Sequence, residues 1–215
     1  MVRRGKALCA AAVLSLCVTV CHAASSAADF VGERASSDAR YAANWVLESG
    51  DHQGQPFAIV DKRDARIYVF EASGRLAGAS SVLLGAALGD RIVVDAELRV
   101  PGRPTRDERT TPAGRFASQP GRNDKGEAIV WIDYQASLAI HRLRAAPAAE
   151  RRAERLASRA RDDKRISLGC VVVPVAFYDS VVGPTLGRKR GVVYVLPETR
   201  PALEMVGVRQ QVVQR

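Results

Sequence analysis

Phe57-Ala58-Ile59-Val60-Asp61-Lys62-Arg63-Asp64-Ala65-Arg66-Ile67-Tyr68-Val69-Phe70 holds two short runs rich in Val, Ile, Tyr and Phe, with charged residues at their junction. Runs of this composition, broken by a turn-like cluster, read as paired strands. The Ser73-Gly74 pair between Phe70 and Leu76 marks a second turn, so consecutive hairpins and a largely antiparallel sheet are expected. Outward from this stretch, Gly78 to Leu84, Ile129 to Tyr134 and Val192 to Leu196 read as further strands. The fold class is therefore mainly β with a few helices.

Three segments break the β pattern. Tyr41, Trp45, Val46 and Leu47 stand at helical spacing and predict a short helix. From about Pro147 to Arg161, Ala153, Leu156, Ala157 and Ala160 form a small-residue stripe that predicts a helix docked by that face. Arg151, Arg155 and Arg159 form its second, basic stripe, read as a solvated face. A last helix is expected from Pro174, carrying Val175, Phe177, Tyr178, Val181 and Val182.

Arg3, Arg4 and Lys6 precede an apolar run from Ala7 to Cys21, followed by Ala23, Ala24, Ser25 and Ser26. That order reads as a secretory signal, and the run is shorter than the roughly 20 residues of a membrane-spanning helix. The expected organisation is a signal peptide over 1–23, a spacer and short helix over 24–54, one globular β unit over 55–197 and a tail over 198–215. Export, to a periplasm, and no stable membrane insertion after cleavage follow from this reading. The oligomeric state is not legible in the sequence.

The formal net charge is +9, and residues 1 to 24 hold three basic and no acidic side chains, which leaves +6 after cleavage. A basic surface favours anionic partners. Outside the cytoplasm nucleic acid is not among them, so wall polymers and anionic head groups remain. No P-loop, dinucleotide fingerprint or paired-cysteine metal spacing occurs, and neither a metal nor an organic cofactor is expected.

Export also removes Cys9, Cys17 and Cys21 and leaves Cys170 alone. One thiol forms no internal disulfide, so Cys170 is either buried and inert or kept for its reactivity. His22 leaves with the signal, and His52 and His141 remain. His141 closes the apolar run Ser137-Leu138-Ala139-Ile140, which puts it at a strand end. Cys170 lies in Ile166-Ser167-Leu168-Gly169-Cys170-Val171-Val172-Val173-Pro174, read as a turn between a strand and a helix beginning just beyond. Glycine permits close approach of a substrate, and a nearby helix start and His141 are expected to lower the thiol's pKa. Cysteine with histidine meets the requirement of an acyl-transfer site in which a thiolate attacks a carbonyl and backbone N–H groups hold the oxyanion.

With these residues assembled, the chain resembles the L,D-transpeptidase (YkuD-type) catalytic domain over roughly residues 55–197. The resemblance is carried by the strands from Phe57 to Phe70 with Val82-Leu83-Leu84-Gly85, by Thr111-Pro112-Ala113-Gly114-Arg115-Phe116 as a Thr-Pro-x-Gly-x-Phe element, and by His141 followed later by Ser167-Leu168-Gly169-Cys170. It implies a YkuD-like β-sandwich with Cys170 as nucleophile and His141 as general base and acid, oriented by a backbone carbonyl. It also implies that Gly169, with the Cys170 amide, serves the oxyanion, that Ser167 supports the loop and that Leu168 adjoins the substrate. Thr111, Pro112 and Gly114 shape a neighbouring turn.

Two residues depart from the family's Ser/Thr-His-Gly-Cys-hydrophobic-Asn motif: Leu168 replaces the second histidine and Val172 the asparagine. The stretch between His141 and Ser167 is longer than is common and contains the arginine-bearing segment, read as an altered lid and cleft. The implied reaction is acyl transfer from a peptidoglycan tetrapeptide stem to an amine, with release of D-Ala. The alternatives are an L,D-carboxypeptidase or cross-link-cleaving hydrolase with the same cysteine, or a catalytically lapsed wall-binding domain.

Overall fold

A computed structural model describes residues 27–91 and 105–207. The signal peptide, with its cysteines and His22, and the end of the tail lie outside the described residues. Among those described, ten strands occur: β1 Phe57–Asp61, β2 Arg66–Phe70, β3 Leu76–Ser81, β4 Leu84–Gly85, β5 Gly114–Arg122, β6 Ala128–Asp133, β7 Leu138–Arg142, β8 Arg165–Ser167, β9 Val171–Val173 and β10 Gly191–Val195. Eight form one sheet in the order β3-β2-β1-β10-β5-β6-β7-β9, while β4 pairs with β8. In the large sheet only β1 with β10 and β7 with β9 run parallel, so the expected antiparallel character holds.

β5 joins two halves of this sheet. Gly114 to Ser118 pair with β10, and Gln119 to Arg122 pair with β6. The sheet then wraps until its ends meet, where Leu83, just past β3, exchanges hydrogen bonds of 2.8 and 2.9 Å with Val172 of β9. Both halves thus face one core, in which Val60, Ile67 and Val69 meet Val130, Ile140, Val171 and Val193. Burying this apolar surface from water is the main driving force for the wrap.

A second cluster covers the other face of β1, β2 and β10. Helix α1 (Ser37–Ser49) lies there, capped by the Ser36 hydroxyl, which accepts from Ala39 N–H, and ended by Gly50 at φ 64°. Its buried face is Ala39, Ala42, Ala43 and Val46, whereas Tyr41 is exposed. The helix is where it was expected, but small residues make the contact because an alanine face lets the helix approach the sheet closely. Phe30 packs edge-on against Tyr68 and Phe70, so the supposed spacer belongs to the fold from Ala28 onward. The tail does too: α5 (Ala202–Gly207) buries Ala202, and the Glu198 side chain is nearly inaccessible.

The segment after Pro147 departs from the expected single helix. A turn at Ala148–Glu150 leads to Arg151 in the left-handed region, α2 covers only Arg152–Ala157, and Ser158 turns extended before another turn at Asp162–Lys164. Ala153, Ala157 and Ala160 are exposed, and Leu156 alone of the proposed face is buried, against Leu83 and Val172. A single leucine anchors the segment, and the alanines offer too little apolar area to dock a longer helix. After Pro174 the helical run proceeds as α3 (Val175–Phe177), a π segment Tyr178–Val182 and α4 (Gly183–Thr185). Among the described residues no helix is long and apolar enough to cross a membrane.

Charged groups tie the loops at one end of β1 and β10. The Lys62 ammonium, fully buried, donates to the Gly89 and Thr111 carbonyls and to Asp90 Oδ1 at 2.5, 2.8 and 2.8 Å, with Glu198 Oε1 at 3.4 Å. Arg165 reaches the other oxygen of Glu198. Burial by itself would raise the Asp90 pKa, but hydrogen bonds from Lys62, the Thr199 hydroxyl and the Glu198 N–H hold it well below the usual carboxylate range. Removing one member of such a pair strands the other in a poorly solvated place, at a cost of about 3–5 kcal/mol. Lys62→Ala is therefore expected to lose stability of that order in urea unfolding; a loss under about 1 kcal/mol would mean that water replaces the ammonium freely.

Candidate active site

Cys170 sits in the loop between β8 and β9, half-buried. It does not precede a helix. The run Val171-Val172-Val173 is fully buried and extends as β9 beside β7, because three β-branched residues fit a sheet interior, and helical geometry starts only after Pro174. The helix start invoked for the thiol is thus displaced from it by a strand. Parallel register sets Ile140 opposite Val171, His141 opposite Val172 and Arg142 opposite Val173. Ile140, Val171 and Val173 face the inner core, so His141 and Val172 share the outer face. Cys170 stands two residues before Val172, in the loop that leads into β9.

The loop is braced from within. Ser167, buried, donates from its hydroxyl to the Cys170 carbonyl at 2.7 Å and accepts from the Gly169 N–H at 3.1 Å. It also commits the Gly169 N–H, so the expected oxyanion role does not fall to that amide in this conformation. What Gly169 supplies is shape: its φ is 135°, and a Cβ there would stand 2.9 Å from the Thr110 carbonyl. Leu168, next to Gly169 in the same loop, is 53% exposed. The Cys170 thiol lies 3.4 Å from the Ser137 carbonyl, in the turn before β7, and donates to it.

The Thr-Pro-x-Gly element does more than turn. The Thr111 hydroxyl donates to the Gly169 carbonyl at 2.8 Å and accepts from the Gly85 N–H at 2.9 Å. It thereby joins the cysteine loop to β4. Gly85 is needed there, since a Cβ would come within 2.2 Å of the Arg109 carbonyl. The sequence marks Thr111 only as a turn residue; a hydroxyl side chain ahead of Pro112 was the available signal, because a hydroxyl can donate to one loop and accept from another.

His141 is buried, with Nδ1 at 2.8 Å from the Arg142 carbonyl. A carbonyl only accepts, so Nδ1 carries the proton and Nε2 has the lone pair. Burial is the main reason that its pKa falls to about 4; the Arg142 carbonyl and Glu127 oppose this, and the charges of Arg144 and Arg152 add to it. His52 belongs elsewhere: its two ring nitrogens lie 3.2 Å from the carbonyls of Val46 and Ala72, and its ring packs on Phe57 beneath α1. It is a packing residue, as the face it occupies requires.

No family model and no curated protein sequence matches the chain. Solved structures do. An L,D-transpeptidase from Enterococcus faecium, as its C442S mutant, is 16% identical over 66% of this chain and 50% of its own, with a TM-score of 0.37. One from Xylanimonas cellulosilytica is 18% identical over 66% and 60%, with a TM-score of 0.40. The helical cell shape determining protein Pgp2 from Campylobacter jejuni, as its K307A mutant, is 13% identical over 83% and 65%, with a TM-score of 0.44. The chain spans about half to two thirds of the length of these structures.

Two predictions follow from this geometry. An unfolded histidine takes its proton near pH 6.5 while folded His141 takes it near 4, so between those values the unfolded chain binds the extra proton. Stability contributed by neutral His141 is therefore present above about pH 6.5 and lost as pH falls toward 4, by on the order of 2–3 kcal/mol. Urea unfolding at pH 7 and 4.5 should show that loss in the parent and a smaller one in His141→Gln; equal losses would place the acid sensitivity elsewhere. Thr111→Val leaves the Gly169 carbonyl and Gly85 N–H without their partner and should cost about 2 kcal/mol, together with altered alkylation of Cys170. Unchanged alkylation would mean that Ser167 alone holds the loop.

Proposed function

We propose that this protein is a cysteine acyltransferase of peptidoglycan, an L,D-transpeptidase whose nucleophile is Cys170 and whose base is His141. The observation that carries the reading is the β7–β9 register, which pairs His141 with Val172, two residues beyond Cys170 in the chain, and holds its imidazole buried and neutral. The Thr111 bond to Gly169 adds to it, because it connects in space the two motifs on which the sequence resemblance rests. The proposal includes export by residues 1–23 to a periplasm, where the wall polymer is the substrate.

In the proposed first step the lone pair at His141 Nε2 takes the thiol proton and the sulfur attacks the carbonyl on the L-configured centre of the stem's third residue. The new C–S bond forms a tetrahedral oxyanion, whose collapse breaks the C–N bond to D-Ala, and His141 returns the proton to the departing amine. In the second step an amine of a neighbouring stem attacks the thioester, gives its proton to His141 and expels the thiolate. A histidine with a pKa near 4 is a weak base but a strong acid once charged, which suits protonation of an amine leaving group. The thiol must also give up its bond to the Ser137 carbonyl, which accepts from S–H but repels a thiolate.

Incubation of the mature protein with a wall tetrapeptide, followed by mass spectrometry beside Cys170→Ala, tests the proposal. Dimer formation with D-Ala release, lost in Cys170→Ala and reduced at least about 100-fold in His141→Ala, is the expected result. D-Ala release without dimer would make the enzyme a carboxypeptidase. No thioester and no turnover by folded protein would overturn the reading, leaving the exposed Leu168 and buried Val172 as marks of a wall-binding domain without catalysis.

A further inference from the structure

Directly beyond His141 the chain leaves β7 and lines a cavity of about 200 Å³ with Leu143, Arg144, Pro147, Arg151, Arg152 and Glu154 among its walls. Leu143 donates its N–H to the Val173 carbonyl at 2.7 Å and packs on Val172, so the cavity opens from the same outer face that bears His141. It starts two residues past His141 and four past the level of Cys170. At about 3.3 Å per strand residue, Leu143 stands roughly 7 Å along the chain from His141.

Each arginine of this cavity pairs with one carboxylate, and the guanidinium edges not used in those pairs remain as donors. Arg152 uses Nε on Glu150, and among the described residues its Nη groups have no partner. Arg144 pairs through Nε with Glu127 Oε2 at 2.6 Å, which leaves its two Nη groups as donors. Arg151, at the exposed rim, is paired with Glu154, the one acidic residue among those walls. A guanidinium carries five N–H donors in a fixed fork and grips a carboxylate with two of them. The walls beside the arginines are apolar, which leaves room for the carbon chain that bears such a group.

We propose that this cavity is a specificity subsite for a carboxylate carried within the acyl-donor peptide, gripped by Arg144 and Arg152 on the segment inserted between His141 and Cys170. The inference rests on the acyl-transfer reading for its substrate class. Both arginines act on His141 through their charge, and a carboxylate bound between them would offset it. Substrate binding would then make His141 a better base only when the correct peptide is in place.

The test is binding, by calorimetry, to the full mature chain carrying Cys170→Ala, so that nothing turns over. The probes are a tetrapeptide stem with its internal carboxylates free and the same stem with them amidated, the terminal D-Ala carboxylate kept in both. Free carboxylates are expected to bind about tenfold more tightly or better, and the preference is expected to vanish in Arg144→Gln/Arg152→Gln. Equal binding of the two stems, or a preference that survives the double substitution, would overturn the subsite. The amidated stem tests it even if the double variant folds poorly. Failure of the two readings is separable: turnover by the parent without carboxylate preference sinks the subsite alone, and carboxylate-dependent binding without turnover sinks the acyl-transfer reading alone.

Discussion

Thr111 is held from both ends, and the shape of the candidate site depends on it. Its hydroxyl bridges the Gly169 carbonyl and the Gly85 N–H, while its own carbonyl accepts from the buried Lys62 ammonium. Lys62 in turn binds Asp90 and approaches Glu198, which Arg165 holds from the start of β8. A continuous polar path therefore runs from the end of β1, through a threonine, to the loop that bears Cys170. Polar groups this deep are costly unless every member is satisfied, so the path admits one arrangement and excludes others. That specificity fixes the position of Cys170, whose loop has no helix to stiffen it.

The same physics separates the thiol and the imidazole. Cys170 lies half-buried in the loop before β9, and His141 lies on β7 opposite Val172, where burial keeps it neutral. Depth gives the histidine a fixed tautomer, through the Arg142 carbonyl, at the expense of basicity. The arginine-bearing insertion beyond β7 belongs to this balance, because Arg144 and Arg152 disfavour a second positive charge on the ring. Anything anionic that settles between them changes the histidine as well as the pocket.

The wrapped sheet explains why these parts meet. β5 belongs to both halves, and the Leu83–Val172 bridge brings the edge beyond β3 back to β9. The bridge fixes Val172 beside Leu83 and Leu156, so the inserted segment is anchored directly over the strand that follows the cysteine. An asparagine at position 172 would place an amide in that dry contact. Valine suits it, and the anchoring of the insertion is a physical reason for the residue found there.

Much of the β architecture was legible because its signals are local. Alternation and composition marked β1, β2, β6 and β10 to within a residue or so, and turn residues implied their antiparallel pairing. Cysteine arithmetic and the His141 and Cys170 motifs named the candidate pair without any coordinates. Other features were decided only by tertiary contacts. β5 and β9 took their places through pairing with distant partners, and α2 was cut short because one leucine, not an alanine stripe, found a surface to bury. Thr111 became a bridge, because a hydrogen bond between residues 58 positions apart leaves no trace in local periodicity. Residue type and spacing determine what a segment can become; which donor meets which acceptor is decided when the sheet closes on its core.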